Sequence, residues 1–238
     1  LCRLLGVSFA TAIQRNLAGI GTEGGLRPEY DGLGIDGFLA SLRPATQIDV
    51  RHTVGLVDAI TAADQAERVG DGLPETLEEV AATYGHRWYK LKVGGQVAAD
   101  IARLTAIAAV LDRLPGGYQA SLDGNEQYAD AAGVAELMAA IRATPALARL
   151  HAAIAFIEQP IARKTALQVD LAGADLGKPV IVDESDGELD SFVQARARGY
   201  AGISSKTCKG FYKSILNPAR CAAWNRAEGG ARYFLSAE

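Results

Sequence analysis

The run Tyr89-Lys90-Leu91-Lys92-Val93-Gly94 places two lysines two residues apart in a strand-like segment. Residues i and i+2 of a strand point to the same face, so both ammonium groups share one side. Buried lysines are rare and costly. Taken alone, the pair reads equally well as surface lysines on an edge strand. Four later strand-like segments tip the reading, because each ends in charged or amide residues: Ser121-Leu122-Asp123-Gly124-Asn125, Phe156-Ile157-Glu158-Gln159-Pro160, Val180-Ile181-Val182-Asp183-Glu184-Ser185 and Ile203-Ser204-Ser205-Lys206-Thr207. Together they point to lysines arranged around a carboxylate metal site.

From residue 48 onward, apolar runs of strand length alternate with helical periods, the pattern of βαβ units and a parallel sheet. Strands are expected near 52–59, 87–93, 118–123, 152–158, 179–183, 201–206 and 232–237. Helices are expected near 62–84, 98–113, 130–143, 163–175, 188–198 and 212–228. The clearest carries Ile101, Leu104, Ile107, Ala108 and Leu111 on one stripe. Residues 1–20 read as helical, and 21–44, with Gly24-Gly25 and Asp31 to Gly37, read as loop or connector. No glycine fingerprint follows the first strand, and charged residues recur at several strand ends, so a (β/α)₈ TIM-type barrel is favoured over an open doubly wound sheet. Only seven of its strands are visible, and the first residue is not Met, so the chain is expected to be part of a longer product.

In such barrels catalytic residues sit at the carboxyl ends of the strands. Lys92, Asp123, Glu158, Asp183 and Lys206 are separated by 31, 35, 25 and 23 residues, each close to one β/α unit. Three carboxylates brought together repel unless a hard cation relieves them, and oxygen-only ligands favour Mg²⁺. Any one carboxylate on its own reads as well as a helix cap or ion-pair partner.

The ordered series Lys-x-Lys, Asp-x-Asn, Glu-Gln-Pro, Asp-Glu-Ser and a strand-six Lys resembles the enolase superfamily, most closely the muconate-lactonizing, two-lysine branch of the mandelate racemase/muconate lactonizing enzymes. The resemblance runs from about residue 48 to 210. It implies that Asp123, Glu158 and Asp183 ligate Mg²⁺, with Mn²⁺ as an alternative. It makes Lys92 and Lys206 the acid/base groups on opposite faces of the substrate and Lys90 an electrostatic partner. Asn125, Gln159, Glu184 and Glu238 become supporting or substrate-binding groups. Residues 1–47 would be the tail of an α+β capping domain and 48–238 an incomplete barrel. The implied reaction is α-proton abstraction from a small carboxylate through an enediolate, giving racemisation, epimerisation or cycloisomerisation. A β-eliminating acid-sugar dehydratase, a Schiff-base aldolase using Lys206 or Lys92, and a catalytically silent scaffold are the alternatives. A homo-oligomer is expected.

The histidines, His52, His86 and His151, are placed at strand beginnings, away from that rim, and read as structural. Lys209 is a rival to Lys206 but falls three residues later, in the loop. With 49% apolar residues in 238, the chain can bury a substantial core. A net charge of −4 lacks the basic surplus of a nucleic-acid binder. No apolar run reaches membrane-spanning length, and no secretion signal opens the chain. Three cysteines, Cys2, Cys208 and Cys221, make neither a disulfide framework nor a zinc spacing, which fits a reducing cytoplasm.

Overall fold

The computed structural model describes residues 1–21 and 32–238, so Gly24, Gly25 and Asp31 of the expected connector lie outside the described residues. The chain divides into two compact units, Asp49–Gly202 and the pair of segments Leu1–Ile48 and Ile203–Glu238.

The larger unit holds five strands, β1 (Arg51–Val54), β2 (Trp88–Lys92), β3 (Gln119–Asp123), β4 (Ile154–Glu158) and β5 (Val180–Val182), adjacent in chain order. Each neighbouring pair is parallel. Between them run helices Leu77–Tyr84, Val97–Leu111, Ala131–Ala143, Ala148–Ala153 and Arg163–Ala166, with Ser191–Ala197 after β5. The expected β/α alternation is therefore present. Leu91, Leu122 and Ile157 form one apolar row across β2, β3 and β4, each at most 1% exposed. By strand alternation, Lys90 and Lys92 lie on the opposite face.

The register decides which residues meet. Lys92 pairs with Asp123, and Asp123 pairs with Glu158, so three chemically active side chains stand in one row. A shift at Ala120/Ser121 makes this alignment. Ala120 faces Ile154, yet Ser121 faces Phe156, so Ala155 is an extra residue on β4. Without that bulge Asp123 would face Ile157, and Glu158 would stand one place out of the row.

In the larger unit, two helix expectations and one strand expectation are corrected. The expected 62–84 helix begins only at Leu77, because Gly70 and Gly72 take left-handed φ of 69° and 86° and Pro74 follows. A single 3₁₀ turn, Ala62–Asp64, precedes it. The 163–175 helix stops at Ala166. Ala148–Ala153, expected in part as strand, is helical because Leu147, Leu150 and Ala153 recur at helical spacing and are buried. His151 therefore sits in a helix, not at a strand start.

His52 and His86 do lie beside the starts of β1 and β2, with rings stacked at 5.5 Å, and His52 meets Tyr89 edge-on at 6.3 Å. Burial, then the neighbouring His86, lowers the His52 pKa from 6.5, against a raising effect of Asp58. Burial, then Lys178 and Arg142, lowers that of His151. Both folded pKa values lie below the unfolded value, so unfolding takes up protons as pH falls through about 6.5. Thermal stability is expected to drop between pH 7.5 and 5.5. His52→Phe combined with His151→Gln should flatten that slope in melting curves, and an unchanged slope would count against the account.

In the smaller unit, helices Cys2–Leu5 and Phe9–Gln14 take the place of the single expected one, with Gly6 in the left-handed conformation at the break. Ile35–Ser41 and Phe211–Glu228 pack Ile35, Leu39, Ile215, Leu216 and Ala219 into one cluster. Strands β6 (Gly202–Ser205) and β7 (Phe234–Ala237) flank the long helix in sequence, and the Glu238 N–H donates to Ser205 O at 3.2 Å. Among the described residues, no single helix is long and apolar enough to cross a membrane.

Candidate active site

Lys90, Asp123, Glu158 and Asp183 are all buried, at 5%, 1%, 0% and 4% exposure. Charges so placed must be compensated. Lys90 Nζ donates to Glu158 Oε1 at 3.0 Å and lies 3.1 Å from Asp123 Oδ2. Lys92 Nζ is 3.3 Å from the same Asp123 oxygen, so both lysines of the Lys-x-Lys run do share one face. Asp183 is the first residue beyond β5, and its carboxylate and that of Glu158 each offer an oxygen within 4.8 Å of the other.

The turns after β3 and β4 hold these groups by backbone hydrogen bonds. Gly124 N–H donates to Glu158 O at 2.9 Å, and Glu126 N–H to Gln159 O at 2.8 Å. A Cβ on Gly124 would fall 2.5 Å from Pro160 Cα, so the Asp-Gly-Asn turn can lie this close to the Glu-Gln-Pro turn only with glycine there. Gln159 is fully buried and, although not glycine, has φ of 31°. Its Oε1 accepts from the N–H groups of Asp183 at 2.8 Å and Ser185 at 3.1 Å, while its Nε2 donates to Ile161 O and Ser185 Oγ. It therefore sets the Asp183 turn instead of facing a ligand. Asn125 lies between Lys92 Nζ, which donates to its Oδ1, and Glu184, which accepts from its Nδ2 at 3.0 Å.

Two contributors lie outside the residues singled out from the sequence. Asp100 is buried and accepts the N–H groups of Gly94 at 2.7 Å and Gly95 at 3.0 Å, fixing the turn just beyond Lys92. The signal was a Gly-Gly pair followed by an acid in the first turn of a helix. Glu126 and Arg163 join the β3 and β4 turns through two side-chain contacts at 2.8 Å, and Arg163 holds the Glu126 carboxyl below its ordinary range. Nothing in the spacing of that pair announces it.

In the smaller unit, Lys206 follows β6 directly, and its Nζ lies 2.6 Å from Glu238 Oε2. Lys209 turns back to donate to Ser204 O at 3.1 Å. Cys208 is exposed.

Glu158 and Asp183 belong to the acidic group whose oxygens converge within 4.8 Å, as a shared hard cation needs, whereas Asp123 lies outside that group. Asp123, Glu158 and Asp183 supply carboxylate oxygens only, and the buried Asp123 Oδ2 accepts no well-directed hydrogen bond despite two ammonium groups within 3.3 Å. Acidic residues able to hold a metal ion are thus present.

Residues 72–209 match the family model described as enolase C-terminal domain-like. A search of curated proteins returned no match. Among solved structures, a Sorangium cellulosum protein assigned to the mandelate racemase/muconate lactonizing enzymes is 26% identical with a TM-score of 0.51, covering 80% of this chain and 46% of that one. Muconate lactonizing enzyme from Pseudomonas putida is 19% identical with a TM-score of 0.53, covering 84% and 49%. A dipeptide epimerase from Enterococcus faecalis V583, complexed with Mg and L-Leu-L-Tyr, is 19% identical with a TM-score of 0.50, covering 66% and 40%. The chain thus spans less than half the length of each. Its parallel β/α architecture and its match to the family model over more than half of its length identify it as a member of the enolase superfamily, in the mandelate racemase/muconate lactonizing enzyme family with its (β/α)₈ TIM-type barrel.

Proposed function

We propose that the complete protein abstracts the α-proton of a small carboxylate substrate and, by returning it or redirecting the electrons, carries out racemisation, epimerisation or cycloisomerisation. The observation that carries this reading is the row Lys92, Asp123, Glu158 set by strand register, with Asp183 one residue beyond the next strand. Asp123, Glu158 and Asp183 are the ligands of Mg²⁺, with Mn²⁺ as the alternative. A cation held there would supply Lewis-acid stabilisation of negative charge at the substrate carboxylate.

The chain's own groups do the rest. Lys92 takes or delivers the proton at the α-carbon on one face. Lys206 serves the other face, as the two-lysine branch of the family implies, with Glu238 as its ion-pair partner. Lys90, held between Asp123 and Glu158, keeps the two carboxylates in place and offsets their charge. Gln159 positions Asp183 through two backbone N–H groups. Residues 1–47 belong to the capping domain and 48–238 to the barrel, and the working form is a cytoplasmic homo-oligomer.

Incubation in D₂O with Mg²⁺ and a panel of α-chiral acids, mandelate and L-Leu-L-Tyr among them, tests this. Proton NMR is expected to show loss of an α-hydrogen signal that stops on addition of EDTA and, in Lys206→Ala, stops for one enantiomer of an exchanging acid. Exchange unaffected by EDTA, or unaffected for both enantiomers by Lys206→Ala, would refute the reading, and borohydride trapping of a lysine adduct would replace it with Schiff-base chemistry.

A further inference from the structure

The side-chain amide of Asn125 reaches between a lysine and a carboxylate. The φ of Asn125 is 41°, and that of Glu126 is 68°, a left-handed pair in which asparagine is the more readily tolerated of the two residues. Backbone contacts hold this turn: Asn125 N–H donates to Asp123 Oδ1 at 3.0 Å, and the flanking Gly124 and Glu126 N–H groups donate to the β4 turn. The result is to thrust the side-chain amide between Lys92 and Glu184.

The chemistry of the two neighbours fixes the orientation of that amide. An ammonium only donates and a carboxylate only accepts, so Oδ1 must face Lys92 and Nδ2 must face Glu184. Among the described residues Asn125 is also the hydrogen-bond donor to Glu184, whose other oxygen, Oε2, is buried and accepts nothing. Removing the amide would leave an acid and an amine facing one another with nothing between them. They would then attract directly, and Lys92 would be drawn off the line set by Asp123.

We propose that Asn125 is a positioning residue: its amide is a neutral spacer that holds the Lys92 amine on the metal-ligand row and prevents Glu184 from capturing it. The proposal rests on the reading of Lys92 as the proton carrier, but its geometry can be tested without substrate. Asn125→Gly tolerates the left-handed backbone while deleting the amide, which separates side-chain loss from backbone strain.

The probe is acetylation by N-hydroxysuccinimidyl acetate at one fixed pH, with Lys92 labelling read by mass spectrometry against the exposed Lys164 as internal reference. Because a hydrogen bond to a charged partner contributes about a factor of ten, direct capture of the Lys92 amine by Glu184 is expected to lower its labelling by about that factor in Asn125→Gly. It should return towards the wild-type ratio in Asn125→Gly/Glu184→Gln, where the captor is neutralised. An unchanged Lys92 to Lys164 ratio in Asn125→Gly, or no recovery in the double variant, overturns the proposal. If the wild type fails to exchange any α-hydrogen but the labelling pattern appears, the functional reading fails while the spacer role stands. Where exchange is seen, Asn125→Gly should lower kcat and leave KM unchanged, and a loss confined to KM would contradict positioning.

Discussion

Lys90→Met lowers the free energy of unfolding by about 3–5 kcal/mol, the usual cost of deleting one partner of a buried charge cluster. The residue is the common partner of two carboxylates on adjacent strands, 3.0 Å from Glu158 Oε1 and 3.1 Å from Asp123 Oδ2, and its side chain is only 7% exposed. Methionine fills a similar volume, so the loss is of charge and hydrogen bonding, with little change in packing. In a chain of this size each kcal/mol moves the melting temperature by about 2–4 °C, so a fall of roughly 6–20 °C is expected by calorimetry. Two further results should accompany it. Glu158→Gln in the same background should recover part of the loss, because one uncompensated charge is removed. Millimolar Mg²⁺ should stabilise Lys90→Met more than the wild type, because a cation among Asp123, Glu158 and Asp183 replaces the missing positive charge. A melting temperature within a degree or two of the wild type would show that Lys90 is not the electrostatic centre of the site.

Lys92→Met is expected to separate chemistry from stability. Its side chain is 29% exposed and keeps an amide partner as well as Asp123, so the cost to folding stays within about 1 kcal/mol. Loss of a positioned acid/base group lowers the rate by about 10²–10⁴-fold. Under the two-lysine reading that loss falls on one face only. With paired enantiomers of an exchanging acid in D₂O, one should stop losing its α-hydrogen while the other continues through Lys206, and interconversion of the two should cease. Equal loss for both enantiomers would remove the two-face mechanism. Equal loss of stability in Lys90→Met and Lys92→Met would instead merge the roles that burial separates.

The shared face of Lys90 and Lys92 follows from a period of two, and the β/α order follows from apolar runs alternating with helical stripes. Both are local, because strand and helix periods are set by backbone geometry within a few residues. The carboxylates at the ends of β3, β4 and β5 could be picked out for the same reason, as charges closing an apolar run have few structural reasons to be there. Helix ends were less legible where glycines intervened, as at Gly70 and Gly72, and Ala152 and Ala153, the end of the helix Ala148–Ala153, read as strand because a short apolar segment has too few residues to declare its period.

What the sequence alone determined about this protein is therefore the repeating β/α architecture, the identity of the charged residues at its strand ends, and the family they point to. Tertiary structure alone decided which of them meet. The extra residue at Ala155 brings Glu158 level with Asp123, the close approach of Gly124 to Pro160 seats one turn on the other, and Gln159 and Asn125 become positioning groups. The physical reason is that strand register and the satisfaction of buried polar groups depend on partners 24 to 59 residues away, as for Gln159 with Asp183 and Asn125 with Glu184, and no local pattern encodes them.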